Sequence, residues 1–394
     1  MSEGLCAGSR DQGGDDDAFA EMKALLKQPN MAACGDPLIR YLRIRFIQLE
    51  RQNAWFNGPS FRDAAAAMDA SQYPDIRKFY PHLWAAREFL EAQATLQDAR
   101  VQLEAAAKAL VKGLADESMP VPAAEAACEG LLALPTLDET RLWEVYAILA
   151  PALDTGRWRG TAAALLTKAR AYRIRAWMAR GNGVASTVSE TGGRLFSEYL
   201  EIAADSLERA WRNDPHDVGI CIEMLRVELG QGQGRDRMEL WFNRGMKLDP
   251  ANLVLCGGKL WYLNPRWYGS KPEMLAFGRE CTMNTNWSGR VRLLLADAHD
   301  ALADEIGDEE GKAEYWRQPA VWRDIQMTFE QYFRLYPGEK DYRQNYAAYA
   351  AKCGQWQVFL DEAKSFSKTN YAIFGGEQRY RELEKDALAH IKQP

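Results

Sequence analysis

The sequence predicts an all-α protein, an array of helix pairs, and three observations carry that expectation. Apolar residues recur at i, i+3, i+4 and i+7 along nearly the whole chain, the stripe of an amphipathic helix. Those runs are rich in Ala, Leu, Glu, Arg and Lys, which lose little conformational freedom in a helix. No stretch shows the strict apolar–polar alternation of a half-buried strand. With 47% hydrophobic and 26% charged residues in 394, the balance is globular rather than disordered.

In chain order, MSEGLCAGSRDQGGDDD is polar and acidic without an apolar h-region, so residues 1–17 read as a tail and not a signal peptide. This points to a cytoplasmic protein, or to an exported one if a targeting segment was removed from a longer parent. Asp36-Pro37 reads as an N-cap with proline at the first helical position, opening a helix over 37–52. A long helix is expected over 87–114. LADESMPVPA (114–123) breaks the pattern and is the best linker, closing an N-terminal lobe over 18–117. Thr136 with Glu139, and Ser270 with Glu273, have capping-box spacing. Helices follow over 161–180 and 192–211. DEIGDEEGKAEYW (304–316) is acidic but lacks the alternating ligands of a calcium loop, and reads as a solvated insertion.

The second half is periodic. LERAWRNDPHD (207–217) and FNRGMKLDPAN (242–252) each end a helix at Asp-Pro, and Pro215 and Pro250 stand 35 residues apart. Proline stops one helix, and the acidic residue is expected to favour the N-terminus of the next. YFRLYPGEKDYRQNYAAYAAKCGQWQVFLDEAKSF (332–366) repeats the plan, with Pro337, then Tyr346-Ala347, Gly354, Trp356 and Phe359.

These residues resemble the tetratricopeptide repeat, most clearly over 200–372. In that register Pro337 closes a repeat, Tyr346 and Ala347 form the large–small pair, and Phe359 takes a position the family gives to alanine. The departure implies wider or shifted packing there. The resemblance implies helix pairs stacked as a solenoid over 121–375, with a capping helix over 376–394. ARGNGVASTVSETGGRLF, AWRNDP and NPRWYGSKPEMLAFGREC together resemble an uncharacterised bacterial tetratricopeptide-like family of the planctomycete type, which implies a shared fold and no established activity. The family's carboxylate clamp needs Lys, Asn and Arg at set positions. The corresponding face here carries Arg343 and Ala348, so the resemblance does not extend to that clamp.

Chemistry is sparse. Seven scattered cysteines form neither a CxxC pair nor a disulfide framework, and read as free thiols. The four histidines lie far apart and outside HExxH spacing. Asp297 and His299 would point about 200° apart on a helix and do not face each other. Neither a catalytic residue, a metal ligand set nor a cofactor is expected. A net charge of −6 argues against general nucleic-acid binding. No apolar run approaches the roughly 20 residues of a membrane span.

Two stretches remain as candidate binding faces. Between Gly156 and Ser189 stand Arg157, Arg159, Lys168, Arg170, Arg173, Arg175 and Arg180 with no acid, interleaved with Trp158, Tyr172 and Trp177. They lead into RGNGVASTVSETGG, residues 180–193. That loop follows a helix, lacks the third glycine of a dinucleotide fingerprint and has no Walker lysine. It reads as a connector, with Ser189 or Thr191 capping the next helix. Arg170, Arg173, Arg175, Trp177, Arg180 and Asn182 can hold a carboxylate, a phosphate or an acidic peptide. They can equally pair with acids from neighbouring helices. Trp267 and Tyr268, in the loop PRWYGSKP, can stack on a ligand or cover a helix end. The function these features favour is a non-catalytic interaction or scaffold module for a protein or acidic peptide. The alternative is a small anionic-ligand receptor or enzyme at the basic helix and its loop. Self-association through the last helix, around 376–391, is a third reading.

Overall fold

The computed structural model describes residues 13–48, 57–92, 96–134, 138–183 and 185–391. Among them every regular element is a helix, and neighbouring helices pack in pairs. Two units emerge, one over Ser9–Gln231 and the other built on Gly232–Pro394.

The first unit runs through α1 (Gly13–Leu26), α2 (Pro29–Ala32), α3 (Pro37–Arg43), α4 (Gly58–Asp69), α5 (Asp75–Glu91), α6 (Leu96–Ala115), α7 (Val121–Leu132), α8 (Glu139–Leu153), α9 (Ala162–Arg180), α10 (Glu190–Asn213) and α11 (Val218–Gln231). Helix α1 begins at Gly13, inside the stretch expected to be tail; residues 1–12 lie outside the described residues. Asp36 caps α3 as expected, its carboxylate accepting from the amides of Leu38 and Ile39. The helix then loosens into a π turn over Ile44–Gln48.

The run 87–114 is divided between two helices, α5 ending at Glu91 and α6 starting at Leu96. Their contact is built on small residues. Ala85, Ala86, Ala99, Ala106 and Ala107 are fully buried, which lets the two backbones approach. His82 ties the same region together, its ring nitrogens reaching Gln102 Oε1 at 2.7 Å and Asp69 Oδ2 at 3.1 Å. Thr136 lies outside the described residues. The start of α8 is capped instead by Asp138, which accepts from the Arg141 amide. The 114–123 stretch is tied into this unit: Trp158 Nε1 donates to Leu114 O at 2.7 Å, and Arg157 donates to the carbonyls of Glu117 and Met119.

The second unit comprises α12 (Arg235–Leu248), α13 (Leu253–Tyr262), α14 (Lys271–Met283), α15 (Leu294–Asp304), α16 (Glu309–Arg317), α17 (Pro319–Leu335), α18 (Asp341–Lys352), α19 (Trp356–Ala363) and α20 (Glu377–Ile391). At both Asp-Pro steps the helix stops as expected, at Asn213 and at Leu248. The aspartates play another part, however. Asp214 accepts from the His216 amide at 3.0 Å and Asp249 from the Ala251 amide at 3.1 Å, so each folds its own turn rather than facing a helix start. Asn252 is the cap of α13. The acidic 304–316 stretch is also more than an insertion. Asp308 caps α16, and that helix buries Tyr315 and Trp316.

Over 332–366 two helices, α18 and α19, form on either side of Gly354. Gly354 takes a left-handed turn, at φ +71°, between α18 and α19. Tyr346 and Ala347 are buried, and Phe359 is fully buried. The small surfaces that let α18 and α19 meet are Ala347, Ala350 and Ala351 on α18 itself.

Candidate functional site

The basic helix α9 starts at Thr161, whose hydroxyl accepts from the Ala164 amide, and ends at Gly181, at φ +77°. Its arginines separate into three environments, because successive positions on a helix face different neighbours. Arg170 and Arg173 point at Glu223 of α11. Arg173 Nε donates to Glu223 Oε2 at 2.6 Å, Arg170 Nε lies 3.6 Å from Oε1, and Arg226 Nη1 donates to Oε1 at 2.5 Å. Glu223 is only 2% exposed. Burial alone would raise its carboxyl. The charges of Arg173, Arg226 and Arg170, with the Arg173 hydrogen bond, overcome that and hold it down at about 2.

Arg170 also lies 3.4 Å from Glu129 of α7. Two further acids feel the same neighbourhood. Burial, then repulsion from Asp217, pushes Glu125 up to about 7, against the pull of Arg170. Burial likewise raises Asp217, although its carboxylate accepts from the Gly219 amide at 2.8 Å.

Arg175 faces the other way and lies over the rings of Trp143 and Tyr199, at 3.8 and 4.5 Å. Arg180 turns back on its own loop, donating to Gly181 O at 3.2 Å and Gly183 O at 3.0 Å. Trp177 packs edge-on against Phe196 of α10, centroids 4.9 Å apart. Asn182 is exposed at the loop tip. The loop thus closes the α9–α10 pair. Ser189 caps α10 by accepting from the Gly192 amide, and Gly192 lies so near the Ala179 carbonyl that a Cβ would come within 2.6 Å of its oxygen. Arg170, Arg173, Arg175 and Arg180 therefore do not converge on one opening.

Trp267 and Tyr268 belong to the second unit. Tyr268 lies against Tyr262 at 4.7 Å and covers Gly232, with Trp267 beside it at 6.4 Å. Ser270 caps α14, accepting from the Glu273 amide while its hydroxyl donates to Glu273 Oε2 at 2.7 Å. Gly269 is required here by space rather than by φ: a Cβ would overlap the Leu263 backbone, the carbonyl oxygen first. Gly269→Ala should therefore cost about 2–3 kcal/mol through overpacking. Gly338→Ala, with open space at its Cβ, should stay within about 0.5 kcal/mol. Equal denaturation midpoints for the two variants would remove this account of the loop.

A large cleft of the second unit went unnoticed in the sequence. It measures about 960 Å³ and runs between α15, α16, the end of α18, the start of α19 and α20. Trp316 and Trp356 flank it. Lys352 lies 4.8 Å over the Trp316 ring and donates to Asp300 at 2.8 Å, and His390 stacks on Trp356 at 5.1 Å. Arg317 makes no ion pair among the described residues. Five separate helices contribute to this wall, so no local motif announces it. Abundant tryptophan was the only sequence signal.

Asp297 and His299 part company as their spacing requires. His299 is buried between the Tyr315 hydroxyl at 2.7 Å and Asp324 at 3.2 Å, and Asp297 opens into a different cleft. Among the described residues no group of three His, Cys, Asp or Glu is placed to hold a metal ion. Nor is any helix among them long and apolar enough to cross a membrane. In comparison with known proteins, no family model and no curated protein matches this chain.

Proposed function

We propose that this chain is a non-catalytic binding module of the tetratricopeptide-like solenoid type, and that its second unit holds an acidic peptide segment of a partner protein. The observation that carries this reading is the cleft of about 960 Å³ between Trp316 and Trp356. At the upper end of the range for ligand clefts, it has room for several residues of a peptide. The part-exposed Trp356 indole offers an apolar anchor of the kind that dominates binding energy, and Arg317 supplies an uncommitted guanidinium for a carboxylate in a lining that also carries Asp304 and Asp386. The helix-pair packing and the 332–366 pattern support the solenoid reading. The alternative at α9 has less to draw on, since Arg170 and Arg173 already serve Glu223.

The test is a peptide-display selection on the immobilised full chain. Selected peptides should carry acidic residues beside an aromatic or aliphatic anchor. Trp356→Ala and Arg317→Glu should each weaken them by roughly tenfold or more, the loss of a hot-spot contact. Selection of nothing, or of peptides indifferent to both substitutions, would overturn the proposal. A second reading, self-association, is favoured by Leu388 and Ile391, which stand 50% and 43% exposed on α20. It would appear in the same experiment as capture of the chain by itself.

A further inference from the structure

A small cleft of about 60 Å³ lies in the second unit where α13, α15, α17, α18 and the 3₁₀ turn Gly289–Leu293 meet. Leu253 and Phe329 give it apolar walls, and Tyr342 and Tyr349 line it from α18. Three further side chains enter it: Arg290 from the turn, Asp297 from α15 and Asn345 from α18.

None of these three makes a hydrogen bond or an ion pair with the described residues. Arg290 and Asp297 are exposed at the mouth of the cleft, while several other charged groups of the same unit are engaged. Arg279 grips Asp324 through two bonds, at 3.0 and 2.6 Å. Arg292 donates to the Thr282 and Asn284 carbonyls at 2.9 Å, and Arg343 pairs with Glu362 at 3.1 Å. Asp300, one turn beyond Asp297, accepts from Lys352 and from the Tyr349 hydroxyl. Arg290 lies along the cleft wall with its guanidinium 5.6 Å from the Tyr342 ring.

A cation, an anion and an amide thus face one small space without closing on one another. Opposite charges set apart in this way are complementary to a ligand that carries both. A pure amine would leave Arg290 unanswered, and a pure carboxylate would leave Asp297 unanswered. The volume is far below the roughly 300–1,000 Å³ of drug-sized sites, so a head group fits and a whole peptide does not. Aromatic faces beside the carboxylate add attraction for an ammonium.

We propose that this cleft binds the zwitterionic head of a free α-amino acid, its ammonium on Asp297, its carboxylate on Arg290 and the Asn345 amide. The site is separate from the tryptophan-flanked cleft and does not depend on the peptide reading. Binding is pH-dependent. Crowding by the elements packed around it, then the neighbouring Asp300, raises the Asp297 carboxyl to about 6, with Arg290 offsetting part of the rise, although the residue keeps a solvent-exposed side. The other titratable groups that face it are the Tyr342 and Tyr349 phenols of α18; Leu253 and Phe329 carry no charge. An ammonium needs the ionised carboxylate, so affinity strengthens as pH rises through that value.

The experiment is ligand-observed NMR and calorimetry on the full chain with a panel of free L-amino acids. At least one should bind saturably, and its N-acetyl and carboxamide forms should not. Affinity should rise between about pH 5 and about pH 7.5. Asp297→Asn and Arg290→Gln should each lose roughly ten- to hundredfold, the contribution of a hydrogen bond to a charged group. The blocked analogues test the wild type directly, so the result stands even if a variant folds poorly. No saturable amino acid, or equal binding of the blocked forms, would overturn the proposal.

Discussion

Replacing Glu223 by glutamine should destabilise the Ser9–Gln231 unit by about 3–5 kcal/mol, the cost of stripping one partner from a buried ion network. Glutamine keeps the shape and removes the charge. Arg170, buried, and Arg173, part-buried, would then keep their positions on α9 without the carboxylate they converge on. The measurement is the denaturant midpoint, with hydrogen exchange along α9, α10 and α11 to place the loss. Arg226→Gln should cost less, because the Arg226 side chain is 36% exposed and its loss leaves Glu223 with two arginines. A cost below about 1 kcal/mol for Glu223→Gln would show the network to be expendable.

The same carboxylate sets an acid limit. Its folded pKa lies below the ordinary value of 4.5, at about 2. The stabilisation is therefore complete above the ordinary value and is lost as pH falls toward and through the folded one. At about 1.4 kcal/mol per pH unit the loss amounts to roughly 3 kcal/mol. Wild type should lose its advantage over Glu223→Gln in that window, and a pH-independent difference would contradict the assignment.

Phe359→Ala should cost about 3–5 kcal/mol, the usual penalty for emptying a buried phenylalanine site. The outcome discriminates between two accounts. If phenylalanine were a misfit at a position meant for alanine, the substitution would be neutral or stabilising. The ring is fully buried against Phe374 at 6.3 Å and Tyr380 at 6.0 Å, so it fills the space beneath α20. Alanine would leave a cavity and loosen the docking of the last helix. Phe359→Leu should fall well short of the alanine penalty, since it retains most of the volume. Calorimetric unfolding of the three proteins, with proteolysis at the α19–α20 connection, reads the effect.

Most helices, the caps at Asp36, Ser189 and Ser270, and the stops at Asp214 and Asp249 were legible from the chain alone, because each depends on residues within a turn or two. So was the failure of 180–193 as a phosphate loop, since the helix before it and the missing residues are local facts. The charge of α9 was equally plain, but its use was not. Whether an arginine meets Glu223, an indole or a loop carbonyl depends on residues up to 50 positions away. Periodicity tells which way a side chain points, and not what waits there. For the same reason Arg290, Asp297 and Asn345 carried no shared signal. They stand on a turn and two helices, and only the packing of those elements brings them to one cleft. Local propensity and apolar spacing decided the elements; long-range packing decided which charges neutralise each other and which share a cleft without pairing.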